Sequence, residues 1–260
     1  MTMTIHFETH GEGPRDIVIC NGLSQSCANW RGIARKNPQF RWILFDARGT
    51  GKSPMGQTPY HIDDHVTDVL DVLDAAGAKN PLLMGFSHGG RIALRAAAEH
   101  GYRFRGLLLV STGAGQTTLR QAHVRSWYES LKSGGVRAMA WTSLPTIVGI
   151  KILDRFQDWD LLVKGTVARN NEEGLLALFQ GMFRYPSAQV DAASIRLPTL
   201  AMRGEEDPLV RPTDLDDLVK WIDGARGETV PQTGHTLPLE EPEAFIAHID
   251  RFYEELDQGE

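Results

Sequence analysis

Pro81-Leu82-Leu83-Met84-Gly85-Phe86-Ser87-His88-Gly89-Gly90-Arg91-Ile92-Ala93-Leu94-Arg95-Ala96-Ala97-Ala98 decides the fold. An apolar run of strand type leads into Gly85-x-Ser87-x-Gly89, and a helix-forming run leaves it. A strand, a sharp turn holding a serine and a helix form the context that gives this pattern chemical meaning. A serine on so tight a turn has strained dihedrals, so its neighbours two before and two after must be small, as Gly85 and Gly89 are. Gly90 lets the helix start lie close to the sheet. Ser87 Oγ is expected to project above the sheet edge, beside the positive end of the helix, where an oxyanion is stabilised.

Outward from this stretch the chain alternates strand and helix signals. Before it come Thr4–Glu8, alternating polar and apolar, then Asp16–Cys20, a continuous apolar run that empties into Asn21-Gly22-Leu23-Ser24-Gln25-Ser26. Next is Arg41–Phe45, ending in Asp46-Ala47-Arg48-Gly49-Thr50-Gly51-Lys52-Ser53. Continuous apolar runs of this length mark strands buried on both faces. The final Gly-Lys-Ser is not a phosphate loop, because that motif needs a glycine where Asp46 stands and a helix afterwards. Asp46 and Arg48 read instead as polar groups that fix the loop. A helix is expected from Asp64 to about Ala76, capped by Asp63 or Asp64 and stopped by Gly77. His61 and His65 are four apart but lack the sequence context and third ligand of a zinc site, so both read as solvent-exposed.

Gly106–Val110 is a further buried strand. From about Gln116 to Ala193 the pattern becomes helical and aromatic-rich, with no convincing strand. Sheet signals resume at Thr199–Arg203, followed by Gly204-Glu205-Glu206-Asp207, a helix from Pro212, a short strand near Glu228–Val230, Gly234-His235, and a last helix from Pro242. This predicts an α/β fold, a doubly wound and mostly parallel sheet, with the core at 1–115 and 194–260 and an inserted helical cap at 116–193.

Composition narrows the partners. The formal net charge of −6 over 260 residues, with no basic stripe, argues against nucleic acid and anionic membrane. No signal-peptide pattern and no bilayer-length apolar run are present, and the only cysteines, Cys20 and Cys27, do not make a disulfide framework. A cytoplasmic location is the expectation.

A serine hydroxyl needs a base, and the base a carboxylate to fix its tautomer. The chain offers Ser87, one of the acids 205 to 207, and His235, each after a strand whose carboxyl end lies on one edge of a parallel sheet. The order Ser, acid, His, together with Asn21-Gly22-Leu23, Asp46 to Ser53, Gly85 to Gly90, Gly204 to Pro212 and Gly234-His235, resembles the α/β-hydrolase fold superfamily, specifically its capped serine esterases and lactonases. The resemblance spans nearly the whole chain outside the cap.

What it implies is a nucleophile at Ser87, a general base and acid at His235, and an orienting acid at Asp207, three after Gly204 as in the family's Gly-x-x-Asp pattern. The oxyanion donors would be the backbone N–H groups of Leu23 and His88; Asn21 stands where the family usually has histidine. Ser24, Trp141 and Phe183 are candidate substrate contacts. The implied activity is hydrolysis of a carboxylic ester or related acyl substrate with an apolar portion, through an acyl-enzyme. Neither a metal nor an organic cofactor is implied, and the chain is expected to act as a monomer or homodimer. Thioester, lactone or carbon–carbon bond hydrolysis on the same residues are alternatives, as is a ligand-binding receptor or pseudoenzyme that keeps the pocket.

Overall fold

The computed structural model describes residues 3–259 apart from Ala114 and Gln116. Met1, Thr2 and Glu260 lie outside the described residues, as does Gln116, the expected first residue of the cap.

Seven strands form one sheet in the order β1-β3-β2-β4-β5-β6-β7. They are β1 (Phe7–His10), β2 (Arg15–Cys20), β3 (Phe40–Phe45), β4 (Leu82–Phe86), β5 (Gly106–Val110), β6 (Thr199–Gly204) and β7 (Arg226–Val230). All neighbours pair in parallel except β1, which runs antiparallel to β3. The alternation of side chains along each strand supplies two cores. Val18, Cys20, Leu83, Leu107 and Leu109 face one layer, while Ile17, Ile19, Leu82, Met84, Leu108 and Val110 face the other. Helices α2 (Ile62–Ala76), α3 (His88–His100), α8 (Ala188–Ser194) and α9 (Pro212–Trp221) cover the first face; α1 (Cys27–Lys36) and α11 (Pro242–Gln258) cover the second. This is the doubly wound sheet expected.

Local details differ. The first strand lies at Phe7–His10 rather than Thr4–Glu8, because its register is set by pairing from Phe7↔Phe45 to His10↔Trp42; Ile5 is buried without joining the ladder. Helix α1 had no clear signature in the sequence. It begins after Ser26, whose N–H donates to the Asn29 side chain at 3.0 Å, and buries Cys27, Trp30, Ile33 and Ala34. Helix α2 starts two residues early, at Ile62. His61 is its N-cap, with its N–H donating to Asp64 Oδ2 at 2.7 Å, while Gly77 ends the helix at φ +60°.

His65 is not exposed. It shares the buried face of α2 with Ile62, Val66 and Val69, and its ring meets Tyr60 and His88 edge-on at 5.7 and 6.0 Å. Burial pushes its pKa well down. The loop after β3 is fixed as expected. Asp46 accepts from Cys27 N–H and Lys52 N–H at 2.8 and 2.9 Å, and Arg48 forms a two-pronged ion pair with Asp68 on α2 at 2.8 and 2.9 Å.

Between β5 and β6 the described residues form α4 (Thr118–Ile147), α5 (Ile150–Arg155), α6 (Trp159–Arg169) and α7 (Glu172–Met182), the inserted helical cap, ahead of α8, which lies on the sheet. Helix α4 is broken at Gly134 and Gly135, the latter at φ +68°. Trp127, Leu131, Val136, Met139, Leu175 and Phe179 form the cap's own core, which closes on Leu209 and Val210 beyond β6. Among the described residues, no helix is long and apolar enough to cross a membrane.

Candidate active site

The turn between β4 and α3 holds Ser87 at φ +52°, ψ −115°, a conformation that side chains rarely adopt. It persists because its surroundings determine it. Ser87 N–H donates to the Val110 carbonyl at 2.9 Å, and Gly90 N–H donates to the Ser87 carbonyl at 3.0 Å. A Cβ on Gly89 would overlap the Cys20 carbonyl, and one on Gly90 would overlap Thr112, so glycine is required where the helix meets the neighbouring strands.

The acid comes from the loop after β6. Arg203, on that strand, holds the loop closed by donating to the carbonyls of Val210 and Glu205 at 2.8 and 2.9 Å. Within it, Asp207 Oδ1 accepts from Leu209 N–H at 2.8 Å and Val210 N–H at 3.1 Å. The histidine comes from the loop after β7, joined to the acid loop by Glu206 N–H donating to the Thr233 carbonyl at 2.9 Å. Buried Glu240, in the single turn α10 (Leu237–Glu240), braces the other side, accepting from Gly234 N–H at 2.9 Å and from the Thr236 hydroxyl at 3.0 Å.

These loops bring the three residues into line. His235 Nε2 lies 2.9 Å from Ser87 Oγ, and His235 Nδ1 lies 2.8 Å from Asp207 Oδ2. The Asp207 side chain is wholly shielded from solvent. With the proton on Nδ1, donated to Asp207, Nε2 is left to accept the proton of Ser87. Glu205 instead accepts from Gln232 N–H, and Glu206 is exposed.

The loop after β2 lies opposite. Asn21, in place of the histidine usual in such loops, bridges two parts of the core: its amide donates to the Phe45 carbonyl, and its Oδ1 accepts from Trp30 Nε1 at 2.8 Å. Gly22 N–H donates to Gln25 Oε1 at 3.0 Å, and the cap's Asn170 donates to the Ser24 carbonyl at 3.0 Å. Leu23, Ser87 and His235 therefore border the same space.

Two chambers meet there. The smaller, about 160 Å³, runs under α4 and α6 past Ser24, Ser143, Thr166 and Arg169. The larger, about 390 Å³, runs past His88, Arg91, Ser111, Arg120, Phe183 and Tyr185. Trp127 and Leu209 border both. Of the expected contacts, Ser24 and Phe183 line a chamber. Trp141 lines neither, because its position on α4 turns the ring outward, where it is 38% exposed. Trp127, two heptads earlier on the same helix, lines both chambers; only the three-dimensional path of the broken α4 distinguishes them.

His88, next to Ser87, points away from it. Its Nε2 lies 3.3 Å from the Tyr185 hydroxyl, with the two rings stacked at 5.8 Å. Burial lowers its pKa to about 4. Both His88 and His65 are thus neutral in the folded protein, whereas the unfolded chain binds their protons near pH 6.5. Stability is expected to fall as pH drops from 6.5 toward 4, below which folded His88 is protonated too. For His88 alone the loss between pH 7 and pH 5 is about 2 kcal/mol. Urea unfolding at the two pH values should show this loss shrinking in His88→Gln; an equal loss in the variant would refute the assignment.

Among the described residues, His6, Cys27 and Asp46 also bring ligand-type atoms together. Asp46 is already occupied by two N–H donors, and burial, with Asp46 beside it, pushes the Cys27 thiol up. These groups serve the fold.

Comparison with known proteins agrees with this architecture. The sequence pattern of the alpha/beta hydrolase fold matches residues 17–131. A pimeloyl-[acyl-carrier protein] methyl ester esterase of Edwardsiella ictaluri (strain 93-146) is 27% identical, the alignment covering 95% of this chain and 96% of that protein. A protein of Bacillus subtilis (strain 168), named provisionally as a 2-succinyl-6-hydroxy-2,4-cyclohexadiene-1-carboxylate synthase, is also 27% identical over 95% of this chain and 94% of its own. The crystal structure of an enol-lactonase from Burkholderia xenovorans LB400 superposes with a TM-score of 0.84 at 22% identity, over 96% of both chains. With its sheet order, its strained serine turn and its inserted helices, this chain has the α/β-hydrolase fold.

Proposed function

We propose that the protein is a serine hydrolase of carboxylic esters or related acyl compounds, with Ser87, His235 and Asp207 as its catalytic residues. The observation that carries this is the unbroken line Ser87–His235–Asp207 at 2.9 and 2.8 Å, on a serine held in a strained turn. Ser87 attacks the carbonyl carbon as His235 Nε2 takes its proton. The negative charge that develops on the carbonyl oxygen is met by the N–H groups of Leu23 and His88 and by the start of α3. His235 then protonates the leaving group, and an acyl-enzyme remains. Water, deprotonated by the same nitrogen, attacks the ester, and Ser87 recovers its proton on release of the acid.

Asp207 stays ionised throughout, holding the imidazole in the tautomer that accepts from serine. The core would comprise residues 1–115 and 194–260, with residues 116–193 as a lid over the chambers. A lactone is the second reading, favoured by a relative named 3-oxoadipate enol-lactonase 1 in Acinetobacter baylyi (strain ATCC 33305 / BD413 / ADP1).

Labelling with a fluorophosphonate tests the nucleophile. Intact-mass spectrometry should show one adduct on the wild type, none on Ser87→Ala, and slow formation on His235→Ala. A folded wild type that takes no adduct, or an adduct that persists in Ser87→Ala, would overturn the proposal.

A further inference from the structure

The walls of the two chambers contain no aspartate or glutamate among the described residues, yet four arginines border them. Two of these are neutralised. Arg120 pairs with Asp214 at 2.5 Å, and Arg125 pairs with Glu129 at 2.6 Å. The other two are not. Arg91, on α3 in the larger chamber, donates from Nη2 to the Pro186 carbonyl at 2.7 Å, and its buried Nε has no partner. The acid whose field reaches it, Asp191, is bound to Arg95 at 3.0 Å. Arg169, at the end of α6 in the smaller chamber, also has a buried Nε without a partner, and it forms no ion pair among the described residues. Burial lowers the pKa of both, with nothing offsetting it for Arg169.

A half-buried guanidinium without an ion-pair partner is costly, and neither arginine has one among the described residues. Their positions suggest a use: Ser87 borders both chambers, with one arginine in each. A single guanidinium fork matches the two oxygens of a carboxylate. We infer that the substrate carries a carboxylate on each side of the carbonyl that Ser87 attacks, one held by Arg91 in the larger chamber and the other by Arg169 in the smaller. The inference rests on the serine-hydrolase reading and adds the substrate class.

The test compares anionic esters with neutral counterparts. Monomethyl adipate against methyl hexanoate places the charge on the acyl side. The butanoate ester of γ-hydroxybutyrate against pentyl butanoate places it on the leaving group. The wild type should favour each anionic ester by about 10-fold or more in kcat/KM. Arg91→Gln should abolish one preference and Arg169→Gln the other, with partial return in the lysine variants, which keep charge but lose the fork. A wild type that prefers the neutral esters, or preferences that survive both substitutions, would overturn the inference.

Calorimetric binding of adipate to Ser87→Ala protein reads the same arginines without turnover. It should weaken about 10-fold or more with either glutamine variant added; absent binding, or binding indifferent to both arginines, overturns the inference. Esters turned over at the wild-type rate by Ser87→Ala would instead refute the serine nucleophile, leaving the calorimetry to judge the arginines.

Discussion

Replacing Ser87 by alanine should lower kcat/KM for a short-chain ester by about 10⁴- to 10⁶-fold while the protein stays folded. The size of the loss follows from what remains. On the proposed mechanism alanine removes the one atom that would bond to substrate, and with it the acyl-enzyme route. The N–H groups of Leu23 and His88 would, on that mechanism, still face the developing oxyanion and His235 would still direct a water, so a residual rate should persist above the uncatalysed one. The fold should barely notice. Among the described residues Ser87 Oγ bonds only to His235, and the strained turn is held by backbone contacts to Val110 and Gly90 that alanine keeps. Steady-state assays beside a thermal melt would check both halves. Turnover within 10-fold of wild type, in protein melting within a few degrees of it, would exclude Ser87 as nucleophile.

That turn was the most legible part of the chain. Its legibility is steric: Gly89 and Gly90 lie where any side chain would strike Cys20 or Thr112, so the spacing of glycines around Ser87 records a three-dimensional constraint in one dimension. The central strands were legible for a related reason. Burial on both faces forces continuous apolar runs, as in Leu82–Phe86 and Gly106–Val110. Edge and surface elements carry weaker constraints. Strand β1 is fixed by its pairing with β3, and its later start, at Phe7 rather than Thr4, left no trace in composition. Helix α1 buries four of its ten residues, too few for a long apolar period to emerge.

The site divides in the same way. Asp207 is singled out from three consecutive acids only by the Gly-x-x-Asp spacing of the family the sequence resembles; in the structure it is the one that accepts from Leu209 and Val210 N–H and meets His235. His65 was misread because a histidine on a helix looks polar in sequence, although its neighbours Ile62, Val66 and Val69 placed it on the buried face. Arg91 and Arg169 gave no signal at all. Each is one basic residue among many; what sets them apart is the lack of an ion-pair partner among the described residues, which is visible only in space. Trp141 and Trp127 show the same limit, since both are aromatics on one long helix and only the break at Gly134 and Gly135 decides which faces inward.

Asp207→Asn should reduce kcat by about 10³- to 10⁴-fold, a loss set by tautomer rather than by lost structure. Asp207 Oδ1 is pinned by the N–H groups of Leu209 and Val210 at 2.8 and 3.1 Å. An asparagine there must place its carbonyl oxygen on those two donors, because its amide would otherwise point N–H at N–H. The amide nitrogen then occupies the position of Oδ2, 2.8 Å from His235 Nδ1 in the wild type, and donates to it. His235 is forced to carry its proton on Nε2, the nitrogen facing Ser87 Oγ, so it can no longer accept the serine proton. The acid loop keeps its hydrogen bonds, so the melting temperature should change little, whereas Asp207→Ala would leave the two N–H donors buried and unpaired and should lower it. Proton NMR of the His235 ring can separate tautomer from mere misplacement, the Nδ1 proton of the wild type giving way to an Nε2 proton in the variant. Activity within a few fold of wild type in Asp207→Asn would show that another acid orients His235, and Glu205→Gln would then be the next variant to assay.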